Sequence, residues 1–508
     1  MSSSGAPYYY RPVEPVPHSP VEVDVCVYGA TSGGVVAAIE AKRRRRRVVL
    51  LAFETHIGGL TSSGLGATDI GNKGAIGGLA RDFYRELGRR YGRSEAWTFE
   101  PHVAEDVFRE MLRKEGIEVR YRQHLAAVRK SGERIEEITM EGGEAYRAGV
   151  FIDATYEGDL MAMAGVRFHV GREANRVYGE IFNGVHLGHP NHNFDRFVDP
   201  YKIAGDARSG LLAGIVDEPV GVPGEGDHRI QAYNFRMCLT RRDDLKVPIR
   251  APEGYDPEEY TLLARHLATG TWNVFRLSVE MPNGKTDTNN FGAFSTDYIG
   301  VNHRWPEAEY AVRERLFQDH VRYTQGLFFF LGNDPRVPEA IRREASQWGL
   351  ADDEFQDTEN WPRELYIREA RRMVSDYVMT EHDCVGGAKA PDSIGLAAYT
   401  MDSHNCRRIV LGGRAFNEGN IEIGGFGPYP ISYRAVVPRA GECANLFVPF
   451  CLSASHVAFG SIRMEPVFMV LAQSAAIAAD IALRDGVPVQ EVPYPTLRKE
   501  LEAAGQVL

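Results

Sequence analysis

The 508-residue sequence has few cysteines and no close pair of them. Cys26, Cys238, Cys384, Cys406, Cys443 and Cys451 include no C-x-x-C spacing. A redox-active dithiol and an iron–sulfur ligand run are therefore not expected, and six reduced thiols suit an intracellular chain. Positive charge is in deficit: 58 Lys and Arg against 69 Asp and Glu give a net charge of −11. That balance argues against a nucleic-acid partner, whose binding rests on phosphate neutralisation. The longest apolar run, near 466–482, is broken by Gln473 and Asp480, so no membrane span is expected. The opening MSSSGAPYYYRPVEPVPHSP has neither a basic n-region nor an apolar h-region. It reads as a tail or extended arm over 1–20, and a cytoplasmic location is expected. Repeats of 20–50 residues are absent. A second strand–GxG–helix unit is also absent: GGFGP (424–428) follows no clear strand and reads as a loop. This argues against a dedicated NAD(P)H domain.

Glycine is abundant, 52 residues clustering around 29–34, 58–78 and 424–427. Such clusters allow close backbone approach to another group. The first lies in a strand–turn–helix–strand run: VEVDVCVYGA, then TSGGVVAAIEAKRRRRR, then VVLLAF (48–53). This is a βαβ unit, and it requires a parallel sheet. Two helices are expected in 79–115 with a break at Gly92, and strands at 117–130, 134–141 and 150–155. Further on, strands are expected at 229–239 and from Asn445, helices at about 306–326 and 336–347, and a final helix at 464–486. The segment 365–380 mixes helix and strand signals.

GATSGG (Gly29–Gly34) is a degenerate dinucleotide fingerprint. Gly29 and Gly34 fill the outer positions, Thr31 stands at the central one, and Gly33 keeps the helix start small. Ser32 opens the helix, whose free N–H groups and dipole favour a pyrophosphate, with Thr31 able to donate its hydroxyl to it. The ribose acid expected about 20 residues on is missing at Ala52, and Glu54 is assigned that role. HIGGLTSSGLGATD (56–69) is too glycine-rich for a helix interior. It reads as a loop hugging a flat ligand through Gly58, Gly59, Leu60, Thr61, Ser62, Gly64, Leu65 and Gly66. In FIDATYEGDL, small residues around Asp153, Ala154 and Thr155 let a second segment pass the nucleotide closely. Pro466 sits at the first turn of the last long helix.

These motifs, with IQAYNFRMCLT, LYIREARRMV, DSIGLAAYTMDSHNC and ASHVAFGSIRMEPVF, resemble the FAD-dependent oxidoreductase family, whose fold is similar to glutathione reductase. The resemblance runs from about residue 23 to 485. It implies an α/β chain: a Rossmann-like FAD-binding domain from 21–165 and 396–490, an inserted α+β substrate domain at 166–395, and a C-terminal tail at 491–508. It implies that Gly29, Thr31 and Gly34 cradle the pyrophosphate of FAD. It implies further that the 58–66 loop, Asp159 and the 456–466 segment, with Arg463 and Pro466, surround the flavin.

Oxidation of an alcohol at a flavin also needs a base for the hydroxyl proton. MDSHNC offers His404 beside Asp402, and ASHVAF offers His456. Arg368 and Arg372, i and i+4 on a helix, form a carboxylate or phosphate clamp or else pair with neighbouring glutamates. His186, His189 and His192, with Asp195 nearby, have metal-ligand character, but Pro190 breaks any helix aligning them, and no metal is expected. The expected function is oxidation of a small polar substrate at CH–OH, sugar-like or polyol, ahead of CH–NH. An NAD(P)H-driven hydroxylase or reductase, and a non-catalytic module with structural FAD, are the alternatives.

Overall fold

A computed structural model describes residues 5–187, 190–271, 275–276 and 279–508. The βαβ unit forms as expected: β1 (Val21–Tyr28), α1 (Ser32–Arg43) and β2 (Val48–Leu51). Val25 and Val27 of β1 enter one core and Cys26 and Tyr28 another, so the strand is buried on both faces. That is the reason its second half, Val25–Tyr28, is an unbroken apolar run, while Glu22 and Asp24 alternate with valine in the more exposed first half. The helices α2 (Gly78–Arg90) and α3 (Pro101–Glu115) flank Gly92, which takes φ +65°. The strands β3 (Val119–Arg120), β4 (Leu125–Ser131), β5 (Arg134–Met140) and β6 (Ala145–Asp153) complete the run.

These strands form a sheet of order β3-β2-β1-β6-β5-β4, with Leu446–Phe447 from far along the chain pairing with β6. Pairing is parallel from β3 through β6 and at Leu446–Phe447, and antiparallel at β5 and β4. The fold is a Rossmann-like α/β fold. The long helix Glu465–Asp485 packs on α1 through alanines on both, and Gly486 at φ +69° ends it. It is apolar and long enough to cross a membrane, yet 94% of its apolar stretch is buried in the protein. A second, antiparallel sheet is built on the strands Lys285–Asn290, Met237–Thr240 and Gly349–Ala351. The helix Tyr310–Asn333 runs beyond its expected end.

Three expectations change. Only Met237–Thr240 of 229–239 is a strand, because Ala232 and Asn234 bond to the Arg368 side chain and a single bridge instead of a ladder. Only Leu446–Phe447 of the segment from Asn445 pairs, with Pro449 following. Residues 365–371 are extended, leading into a two-residue strand at Arg372–Met373, so Arg368 and Arg372 share no helical face. The side chains of that stretch take ionic partners on different elements, which holds the backbone open.

A Cβ at Gly34 lies 1.8 Å from the Gly29 carbonyl oxygen, and one at Gly33 lies 2.6 Å from the Phe450 ring. The Gly34 clash is with backbone, which cannot swing away. Gly34→Ala is therefore expected to destabilise the protein by about 1–3 kcal/mol, read as a lower thermal midpoint. An unchanged midpoint contradicts the packing described here.

Candidate active site

The parallel strands β1, β2 and β6 end side by side, the place where open α/β sheets bind ligands. A cleft lies there, lined by Gly29, Thr31, Phe53, Glu54, Thr155 and Asp159 among others. Thr31 caps α1: its hydroxyl accepts from the Gly34 N–H at 3.2 Å and donates to the Ala154 carbonyl at 2.8 Å. The hydroxyl is thus committed, and the expectation that it donates to a phosphate is corrected. The anion-binding character of this turn rests on backbone and helix dipole.

Glu54 lines the cleft with Oε1 buried and unbonded. Burial, then the charges of Glu364, Glu314 and Glu157, raise its pKa well above the carboxylate range. Glu364, on the same wall, is pushed up to about 8 by burial and then by Glu157 and Glu465. Carboxyls that hold protons at neutral pH do not repel an anion and can donate hydrogen bonds. Asp153, expected at the cofactor, instead accepts from the Thr155 N–H and hydroxyl and the Met161 N–H. It is fully buried and fixes the turn from β6 into the helix Asp159–Met163. Ala154 is likewise buried, its carbonyl taken by Thr31. Asp159 is gripped by Arg313 at 2.6 and 2.8 Å and by Arg371 at 2.6 Å. Burial raises its pKa, but the two guanidinium groups outweigh that and hold it below the usual range.

The 58–66 loop is a fixed element. Gly58 and Gly59 take φ +96° and +55°, leading into a single 3-10 turn, Gly59–Ser62. Ser32 and Thr61 both donate to Glu465 Oε2, at 2.6 and 2.7 Å. Ser62 bonds back to the loop's own carbonyls. A Cβ at Gly64 meets the Arg236 carbonyl at 2.1 Å, and one at Gly66 meets the Met281 sulfur at 2.3 Å. Along this loop the sequence predicts a slot for a flat ring. Leu60 and Leu65 of the loop pack with Tyr366 and Tyr156. Pro466 lies in the first turn of its helix as expected.

Beyond that cluster opens a polar pocket of about 510 Å³, lined by Asp69, His192, Asn289, Asn290, Asp402 and His404 among others. His404 Nδ1 lies 2.7 Å from Asp297 Oδ2, and its Nε2 lies 3.6 Å from Asp402. Arg368 pairs with Asp297 at 3.0 Å and Arg463 with Asp402 at 3.2 Å. Burial raises both carboxyl pKa values, but these cations and His404 bring them below the ordinary value. Arg463 also donates to the Tyr366 hydroxyl at 2.8 Å. Arg236, across the pocket, is held by Asp287 at 2.6 Å and Asp69 at 3.2 Å.

His456 does not reach the pocket. It is fully buried, with Nδ1 2.8 Å from Glu369 and Nε2 2.9 Å from Ser403. Arg372 is sealed with it, pairing with Glu173 at 2.6 Å and Glu369 at 2.9 Å. Both are structural, and neither expected catalytic role survives. His192 lines the polar pocket, while His189 lies outside the described residues. The acid–histidine group Glu100, His102 and Glu354 already holds a cation: the Lys285 ammonium sits 2.7 Å from both glutamates. Asp297 carries no motif in the sequence; Asp69 and Arg236 stand inside HIGGLTSSGLGATD and IQAYNFRMCLT, but their place on the pocket emerges only here.

A glycine turn at parallel strand ends, beside a pocket with an aspartate-held histidine, defines an α/β enzyme that works with a bound dinucleotide. The family model for FAD dependent oxidoreductases matches residues 24–501. The chain belongs to that family, and its cofactor is FAD. Curated protein sequences give no match. Similar solved structures include L-proline dehydrogenase from P. horikoshii, at 14% identity over 31% of this chain and 59% of that one, TM-score 0.25. They also include T. acidophilum thioredoxin reductase, at 19% identity over 26% and 34%, TM-score 0.19. The Diels-Alderase PyrE3 shares 15% identity over 30% and 36%, TM-score 0.23. The chain thus spans a third to three fifths of the length of these structures. The nucleotide end of the cleft fits FAD in one respect: the buried, unbonded Glu54 oxygen stands on its wall, beside the glycine turn at the start of α1.

Arg372→Ala is expected to act on stability. It leaves Glu173 and Glu369 uncompensated in the core, at about 3–5 kcal/mol. Thermal unfolding checks this, and an unshifted midpoint with lost activity restores Arg372 as a substrate residue.

Proposed function

We propose that the protein oxidises a CH–OH group of a small neutral polyhydroxylated molecule, a sugar or polyol, in the polar pocket. The observation that carries the reading is the Asp297–His404 pair on the wall of that pocket, with Nε2 3.6 Å from Asp402. Asp297 accepts the Nδ1 proton, which leaves Nε2 with a lone pair to take the substrate's hydroxyl proton. The positive charge formed on the ring then lies between Asp297 and Asp402, which favours proton transfer. FAD, when bound, supplies the acceptor for the two electrons and the hydrogen leaving carbon. Loss of one proton to His404 and one hydride from carbon turns CH–OH into C=O.

The pocket lining supports the substrate class. Four carboxylates (Asp69, Asp195, Asp402 and Glu422) stand against one arginine, Arg236, already ion-paired. That balance opposes carboxylated or phosphorylated substrates. Asn193, Asn289 and Asn290 add carboxamides of the kind that match hydroxyl groups, and the Phe291 ring offers an apolar face.

An anaerobic screen following loss of flavin absorbance is expected to find bleaching by neutral polyols and none by their phosphate esters. His404→Ala is expected to slow that reduction by ~10²-fold at unchanged FAD content, and Asp297→Asn to slow it in the same direction. An unaltered rate in His404→Ala removes the base. Fast bleaching by NADPH alone transfers the reading to a reductase.

A further inference from the structure

We propose that the N-terminal arm, residues 5–16, is a strap over the nucleotide end of the cleft, and that Tyr9 is one of the residues that hold the adenosine half of FAD. The proposal rests on the chain's use of FAD and adds a binding residue that no motif predicts.

The arm contains no helix or strand, and its Pro7, Pro12 and Pro15 suit neither. A solvated tail is the expectation from composition. Yet Tyr9 is only 8% exposed, and it lines the cleft together with Gly29, Glu54 and Asp159. Its ring lies 4.9 Å from Phe53, just after β2, and 4.8 Å from Trp305. Its hydroxyl donates to Glu157 at 3.1 Å and accepts from Arg313 at 3.4 Å. Tyr9 and Phe53 thus make an aromatic wall on the cavity that Glu54 and the glycine turn share. A purine stacks on such a surface.

The arm is tied on both sides of that cavity. The N–H groups of Tyr9 and Tyr10 both donate to Glu314 Oε2, at 2.7 and 2.8 Å, and Gln318 donates to the Pro7 carbonyl at 2.8 Å. These partners lie on the helix Tyr310–Asn333. On the parallel-sheet side, the Tyr10 hydroxyl donates to Glu141 at 2.9 Å, its ring lies 4.9 Å from His124, and the Val16 N–H reaches the Gly142 carbonyl at 2.8 Å. The strap therefore crosses from that helix to the turn between β5 and β6, with Tyr9 on the cleft between them. It is held by side chains and a few single bonds, with no ladder, so it opens locally far more easily than the sheet beneath it. A dinucleotide under it leaves only when the arm lifts, and a bound dinucleotide in turn holds the arm down.

The test uses the full-length holoenzyme. FAD release is followed by the rise in flavin fluorescence, and deuterium exchange is followed in the peptide covering residues 6–14. Tyr9→Ala is expected to release FAD about tenfold faster, the loss of one aromatic contact. Tyr9→Phe is expected to stay near the wild type. Glu314→Gln, outside the cleft, is expected to speed release because it loosens the arm. In the wild type, FAD is expected to slow exchange in that peptide while FMN, which has no adenosine, leaves it fast. Release rates equal to wild type in both Tyr9→Ala and Glu314→Gln overturn the proposal. So does exchange that FAD leaves unchanged or that FMN slows equally, and this wild-type measurement decides the matter even where a variant fails to fold. A wild-type chain that takes up no flavin at all is a separate outcome and removes the cofactor assignment.

Discussion

Asp159 is the constraint on which the site depends. Its carboxylate, 14% exposed, lies between the buried side chains of Arg313 and Arg371. A buried charge without its partner costs several kcal/mol, so the three groups hold one another in place. Asp159 opens the short helix after β6, and Arg313 belongs to the helix Tyr310–Asn333. Their pairing draws that helix onto the ends of the parallel strands. The same helix carries Glu314, so the wall of the nucleotide cleft and the anchor of the N-terminal arm move as one piece.

Ionic networks of this kind recur through the interior. Arg172 is fully buried between Glu418 and Asp227, Lys285 is enclosed by Glu100, Glu354 and Asp353, and Arg372 is enclosed by Glu173 and Glu369. They explain why charged residues beside promising motifs are poor guides to chemistry here. Arg372 and His456 stand in conspicuous sequence contexts, yet their polar atoms serve one another and their neighbours. A base has to meet a cavity as well as carry a nitrogen, and of the two histidines only His404 does so.

Two cavities with opposite character divide the work. The nucleotide cleft has a glycine floor, an aromatic wall and carboxyls that burial keeps protonated, a set suited to a large anionic cofactor. The polar pocket has carboxylates that neighbouring cations keep ionised, suited to hydroxyl donors and to a transient positive charge on His404. Carboxyls crowded by other carboxyls, Glu54 and Glu364, are neutral, and those paired with a cation, Asp297, Asp402 and Asp159, are charged, so the surroundings set each state.

The resemblance carried by motifs along the whole chain supplied the cofactor class, and the sequence by itself determined the βαβ unit, the glycine turn and the closing helix. Each of these depends on residues close in the chain: alternating valines, glycines where a Cβ would strike backbone, alanines where helices touch. The position of Glu54 at the cleft was legible too, because a strand end fixes where its loop begins. Only the tertiary structure decided the partners of the charged groups. Asp297 reaches His404 across 107 positions and Arg313 reaches Asp159 across 154, and no local pattern marks either pair. Tyr9 passes from apparent tail to cleft wall in the same way. Periodicity records which face of an element is buried, whereas an ion pair or an aromatic contact records only nearness in space, which the folded chain alone creates.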